Sequence, residues 1–253
     1  EKVLEKVSSD VNLSHEQKYL VWFDQKDLHW HVLDVESGQK TNLTEDLDVV
    51  FYNEDDDHHW QPGSYGLGAW GLNDRYAYIY DKYDIWKFDL SGEKAPLNVT
   101  AGAGRMNKDI YRYMELDTDL DYVPIAPIRL TVFNEKNKKG GYENKYDHLR
   151  KAECVDVVIW RRGSYREYPD VYISDLNFER IEKLSSLNPQ QSEFRWASVE
   201  LVEWVNSTGD ELQGMLYIPD DLDKSKKHPM VIYYYEKYSD YLYQYFSPTP
   251  SYS

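Results

Sequence analysis

Apolar and polar positions alternate in short runs along the first 196 residues, and the runs recur. LHWHVLDV (28–35), YDIWKFDL (83–90) and PDVYISDL (169–176) are each rich in β-branched and aromatic residues and close on Asp plus an apolar residue. The pairs are Asp34-Val35, Asp89-Leu90 and Asp175-Leu176. A hydroxyl residue follows each Asp ten or eleven positions later: Thr44, Thr100 and Ser185, each preceded by Leu or Val. A further strand-like run stands before each unit, YLVWFD (19–24), YAYIYD (76–81) and VDVVIW (155–160). Consecutive strands joined by tight turns and repeated along a chain predict antiparallel blades. The Asp residues are 55 and then 86 positions apart, so the repeats carry insertions. Three units are fewer than the four to eight of a typical closed propeller, so either further blades stand upstream of the first or the ring is open.

The pattern changes after NPQQ (188–191). SEFRWASVELVEW (192–204) and DELQGMLYIP (210–219) read as longer strands, and KHPMVIYYYE (227–236) is an apolar run with no alternation. Such a run predicts a strand buried on both faces, as in the parallel sheet of an α/β domain. The expected fold is mostly β. Residues 1–196 are read as the C-terminal blades of a partial β-propeller, and residues 197–253 as the first strands of an α/β-hydrolase domain, with the boundary near Trp196.

Composition narrows the partners. A formal net charge of −16 speaks against nucleic acid, which needs clustered Lys and Arg, and against anionic membrane. Tyr (24) and Trp (8) supply burial and favour β structure. No apolar run reaches the length of a membrane-spanning helix. Residue 1 is Glu, so the absence of a leader carries no conclusion about export. Cys154 stands before VDVVIW and is expected to be a buried structural thiol.

Candidate chemistry is sparse. Gly66-Leu-Gly68-Ala-Trp-Gly71 has the spacing of a dinucleotide fingerprint, but the run after it reads as strand where the fingerprint needs a helix. These glycines are expected to make turns between strands. Asp55, Asp56, Asp57, His58 and His59 are metal-ligand types, but they are adjacent and lack the spacing of a calcium loop. They are expected to form a solvated acidic loop, which would suit a peptide amino terminus if it faced a cavity. The stretch from Asn134 to Tyr146 reads as a polar hairpin tip. Asn12, Asn42, Asn98 and Asn206 begin Asn-x-Ser/Thr sequons, and the repeat position of Asn42 and Asn98 suggests a structural origin. Gly163-Ser164 is not a nucleophile elbow, and no GxSxG occurs. No cofactor and no metal is expected.

Four segments together carry a resemblance: YDKYDIWKFDL (80–90), the stretch 174–204, LQGMLYIPDDLDKSKKHPMVIYYYEKYSD (212–240) and YFSPTPS (245–251). They look like bacterial members of the prolyl oligopeptidase family of serine peptidases, in particular large Bacteroidota enzymes. The most specific part is Leu212-Gln-Gly214-Met-Leu216-Tyr217 followed by Lys227-His-Pro229. The resemblance implies a propeller capping an α/β-hydrolase, peptide substrates, and a Ser/Asp/His triad encoded beyond Ser253, so that this chain alone is inactive. It also implies a tyrosine that donates to the oxyanion from the end of the strand after Lys-x-Pro. Tyr235 holds that position; the Glu236-Lys237-Tyr238 that follows departs from the Gly-rich family pattern and leaves Tyr234 as the alternative. No Glu pair for a substrate amine is visible, so exopeptidase and endopeptidase both stay open. A periplasmic or secreted location follows from the resemblance alone. The alternative functions are a non-catalytic propeller that binds or scaffolds a peptide or glycan, and a glycan-processing propeller, which lacks a convincing carboxylate pair. Open sheet edges would favour self-association of the chain.

Overall fold

The computed structural model describes residues 11–116, 120–124, 128–140 and 145–248. It is mostly β, as the alternation predicts, with one five-residue α-helix, Ala103–Asn107, and a few 3₁₀ turns among the described residues. The chain divides into two compact units, up to Val132 and from Phe133 onward.

The first unit holds two four-stranded antiparallel sheets, each built from consecutive strands. One contains β1 (Val11–Leu13), β2 (Tyr19–Asp24), β3 (His29–Asp34) and β4 (Lys40–Asn42). The other contains β5 (Leu67–Trp70), β6 (Tyr76–Tyr80), β7 (Ile85–Asp89) and β8 (Leu97–Asn98). Side chains two apart share a face of a strand, and that periodicity builds the core. Val21 and Phe23 stand opposite Val32 and Trp30 across one ladder, while Ala77 is paired with Phe88 in the other. All six are buried in one apolar cluster with Phe51, Trp70, Ile79 and Leu90. The far side of the second sheet carries Tyr78, Tyr80 and Ile85, packed with Val123, Tyr111 and Tyr113. A short pair, β9 (Asp109–Tyr113) and β10 (Leu130–Asn134), follows.

Asp74 ties the two sheets together. The residue is 2 % exposed, and its carboxylate accepts the Glu16 N–H at 2.8 Å from the turn between β1 and β2. Its φ of 59° lies in the left-handed region, which Asp tolerates better than most residues because its short side chain bonds locally.

The second unit holds the third such sheet, β11 (Lys145–Lys151), β12 (Val157–Gly163), β13 (Asp170–Asp175) and β14 (Glu182–Lys183). A long hairpin follows, β15 (Ala197–Val205) with β16 (Glu211–Pro219), in register from Ala197↔Pro219 to Val205↔Glu211. Trp196 stacks on Tyr245 at 5.8 Å and lies against Tyr165, which also meets Tyr217. Arg166 closes the same region with two parallel hydrogen bonds to Asp220, at 2.7 and 2.8 Å.

The recurring Asp and hydroxyl residues have the same structural cause in all three sheets. Asp34, Asp89 and Asp175 end the third strands and cap the following turns, each accepting a backbone N–H, from Ser37, Ser91 and Asn177 respectively. Thr44, Thr100 and Ser185 each accept the N–H of the first or second residue of a third strand: Trp30 at 3.0 Å, Ile85 at 3.3 Å and Val171 at 2.8 Å. Asp84 and Asp170 in turn accept the hydroxyl protons of Thr100 and Ser185, at 2.6 and 2.7 Å. In the first sheet His29 holds that place, its Nδ1 3.0 Å from Thr44 Oγ1. The sequon residues Asn42 and Asn98 serve the same turns, each accepting from the backbone N–H of the hydroxyl residue two positions on.

Three expectations are corrected. Residues 230–235 pair with no other described strand and are exposed rather than buried on two faces. An apolar run needs neighbouring strands at its edges and helices on its faces to become such a strand, and no described element supplies them. Cys154 is exposed: it lies in the turn before β12 begins at Val157, outside the burial of that strand. Gly68 lies inside β5 rather than in a turn, for a reason given below. The polar stretch after β10 turns at 135–137, with the Asn134 N–H on the Lys139 carbonyl at 2.8 Å, and buries Lys138, whose ammonium bonds Asp240 at 2.7 Å; its residues 141–144 lie outside the described residues.

Candidate functional site

Tyr235 stands in an extended, unpaired stretch. Its side chain is 71 % exposed, and its alternative Tyr234 is 81 % exposed. The rings of Tyr233 and Tyr235 both meet the ring of Tyr238, at 5.7 and 6.1 Å. Tyr233 and Tyr235 thus meet the same ring. Tyr238 begins a 3₁₀ turn, Tyr238–Tyr241, that Asp240 fastens to Lys138. No described group lies within hydrogen-bond distance of the Tyr235 hydroxyl.

A hydroxyl and an imidazole meet at Thr44 and His29, but that pair cannot serve nucleophilic attack. Thr44 is 1 % exposed and its oxygen is engaged by the Trp30 N–H, so a substrate carbonyl has no approach to it.

The acidic loop is solvated and cross-linked by ion pairs. Asp55 bonds Lys82 at 2.9 Å, and Glu54 lies 3.4 Å from Arg105. His58 bonds Asp56 at 2.6 Å and holds that carboxyl below its usual range. The His58 ring stacks on Trp60, which is largely exposed. Tyr65 accepts the Glu54 N–H at 2.8 Å, and burial pushes its phenol up to about 12.

Asp24, Asp27 and His31 also bring ligand-type atoms within 4.8 Å of one another. His31 is buried and stacked on Trp22, with Nε2 2.9 Å from Asp27 and Nδ1 buried without an acceptor. A metal on Nε2 would put the imidazole proton on that orphaned Nδ1, whereas ligating histidines donate from the second nitrogen to an acceptor. The arrangement fits an Nε2–H···Oδ2 hydrogen bond. Sequence reading passed over both this pair and the Asp84 and Asp170 acceptors; the Asp that opens each of the last two third-strand motifs was the available signal.

Two tyrosines explain Gly68 and Gly71 of the fingerprint-like run, and a φ of 109° explains Gly66. A Cβ on Gly68 would come within 2.3 Å of the Tyr80 ring, and one on Gly71 within 2.7 Å of Tyr76. The ladder of β5 with β6 shifts register between Leu67 and Ala69, so the run is a bulged strand. A 3₁₀ turn, Leu72–Asp74, and then β6 follow, with no helix N-terminus to meet a phosphate.

Comparison with solved structures finds peptidases. A candidate dipeptidyl aminopeptidase IV from Bacteroides ovatus aligns over 87% of this chain at a TM-score of 0.50 and 12% identity. A puromycin-hydrolysing peptidase of Mycobacterium tuberculosis aligns over 86% at 0.45 and 13% identity, and a prolyl endopeptidase over 84% at 0.29 and 12% identity. The first likeness is one of fold. This chain spans 35% of the length of each of the first two structures and 47% of the third. No protein-family model and no curated protein matches the chain. No described helix is long and apolar enough to cross a membrane.

Proposed function

We propose that this chain is part of a serine peptidase of the prolyl oligopeptidase type that hydrolyses short peptides. In this reading residues 1–196 are the C-terminal blades of a propeller that gates and helps bind substrate. Residues 197–253 open the α/β-hydrolase domain, and the nucleophile, base and acid come from polypeptide beyond Ser253. Tyr235 supplies one oxyanion donor. The observation that carries the reading is the order of elements: three four-stranded antiparallel sheets, two with an Asp–hydroxyl–N–H clamp and one with His in its place, and then the β15–β16 hairpin. The fold likeness to a dipeptidyl aminopeptidase over most of the chain supports it.

The test has two arms. Reading the gene past the codon for Ser253 is expected to give a GxSxG elbow followed by Asp and His, the chain order of α/β-hydrolase triads. The extended protein is then expected to be labelled stoichiometrically by a serine-directed fluorophosphonate, while the 253-residue chain is not. A reading frame that closes at Ser253, or labelling of the short chain, overturns the reading.

A further inference from the structure

Lys138 is the one buried lysine among the described residues, at 7 % exposure. Its φ of 63° lies in the left-handed region, where a residue other than glycine is uncommon. The hairpin tip holds it there. The Asn134 side-chain oxygen accepts the N–H groups of Lys136 and Asn137, and the Asn134 carbonyl accepts that of Lys138 at 2.9 Å. Gln213 in β16 donates to the Lys136 carbonyl at 3.0 Å and anchors the same tip. An ammonium out of water is unfavourable unless an opposite charge meets it, and Asp240 does so at 2.7 Å. A strained backbone and a buried charge persist at one residue only where the surroundings over-determine them, and such outliers gather at functional sites.

The ion pair ends on the turn that carries Tyr238. That turn is packed in: Ser239 and Leu242 are 5 % and 4 % exposed, and the Asp240 and Leu242 N–H groups close on the Lys237 and Ser239 carbonyls. The Tyr238 ring meets Tyr235 edge to face at 6.1 Å and 83°, and meets Tyr233 and Tyr241 in the same manner at 5.7 and 5.6 Å. We propose that Lys138 is a positioning residue for Tyr235: its buried ammonium fixes the Tyr238–Tyr241 turn, and the Tyr238 ring fixes the Tyr235 ring. Lys138 and Asp240 are 102 positions apart, so the tip of a hairpin in the part read as propeller sets a side chain in the part read as hydrolase. The consequence for catalysis rests on the reading of Tyr235 as an oxyanion donor; the positioning does not. Such a donor works only where the charge develops, and a misplacement of about 1 Å can cost on the order of 10²-fold in rate.

Two readouts in the full-length protein separate the positioning from the chemistry. The first is fluorine NMR with a fluorinated tyrosine in place of Tyr235, whose resonance senses the Tyr238 ring beside it. Lys138→Met removes the ammonium, keeps the stem, and leaves the partly exposed Asp240 carboxylate to water. It is expected to move the resonance toward its position in the urea-unfolded protein. Asp240→Asn, the second variant, is expected to move it the same way, and the double change little further. The second readout is kcat per active site titrated with fluorophosphonate. Lys138→Met is expected to lower it by about 10- to 100-fold with KM within a few-fold, and to lower it little once Tyr235→Phe is in place. A merely structural lysine would lower the urea midpoint and leave both readouts unmoved. A resonance unmoved by both variants overturns the inference. So does an equal fall in kcat with and without Tyr235→Phe, or a parent-like kcat in Lys138→Met when Tyr235→Phe is crippled. A resonance that moves in a protein that fluorophosphonate does not label, or in which Tyr235→Phe is fully active, supports the positioning and sinks the oxyanion reading instead.

Discussion

The hydroxyl oxygen of Thr44 accepts the backbone N–H of Trp30 at 3.0 Å inside the first sheet, with Thr44 1 % exposed. The backbone completes the contact, since the Leu43 N–H bonds the Trp30 carbonyl at 2.8 Å. A side chain and a main-chain bond together pin the segment after β4 to the start of β3. Thr44→Val keeps the volume and removes the acceptor, leaving a buried N–H unpaired. A loss of about 1–3 kcal/mol is expected, read as a lower urea midpoint with unchanged slope. Thr44→Ser is expected to stay close to the parent.

The repeat was legible because local chemistry produced it. Asp34, Asp89 and Asp175 cap turns, and Thr44, Thr100 and Ser185 clamp strands, whatever surrounds them. Alternation placed β2, β3, β6, β7, β12 and β13 near their observed spans for the same reason. What a neighbour must supply was not legible. VIYYY has the side chains of a doubly buried strand, but burial comes from other elements, and Tyr235 is exposed here. The burial of Lys138 was not legible either, because its partner Asp240 lies about a hundred residues away. The outer strands β4, β8 and β14 span three, two and two residues, too short for a period to show.

Gly68→Ala tests the close approach in β5. The added methyl would meet the Tyr80 ring at 2.3 Å, and that ring is held by its hydroxyl accepting the Tyr113 N–H at 3.0 Å. The ring must move and lose that bond, at a cost of about 1–3 kcal/mol. The double change Gly68→Ala with Tyr80→Phe is expected to cost less than the sum of the two singles. Full additivity in denaturant midpoints would show that the ring does not resist the methyl.

Acid is expected to weaken the fold through Asp89 and Asp170. Burial by itself raises both carboxyls. In Asp89 the hydrogen bonds from Ser91 and Arg75 outweigh it, and in Asp170 those from Lys183, Ser185 and the Leu187 N–H do. Both therefore titrate below the ordinary carboxylate range. A folded pKa below the unfolded value, about 3.9 for Asp, gives stability that is present above that value and lost as pH falls through the folded pKa. Relief of repulsion in a chain of net charge −16 works in the opposite direction. Comparison with Asp89→Asn isolates the effect: the variant is expected to be less stable at pH 7, and its deficit to shrink below about pH 4. A deficit that stays constant down to about pH 2 would show that Asp89 is not held ionised by these partners.

Tyr235→Phe tests the oxyanion role in the full-length protein. An oxyanion donor acts on charge that develops only in the transition state, so removing it lowers kcat and leaves KM near its parent value. Loss of one such donor typically costs on the order of 10²–10³ in kcat. A tyrosine that merely fills space would lose little when its hydroxyl is removed, because the ring and its contact with Tyr238 remain. Tyr234→Phe is the internal control, since Tyr234 is the adjacent tyrosine that the sequence leaves as the alternative donor. The expected pattern is a large fall in kcat for Tyr235→Phe, KM within a few-fold, and near-parent turnover for Tyr234→Phe. The reverse pattern moves the role to Tyr234, and full activity in both removes it from this segment.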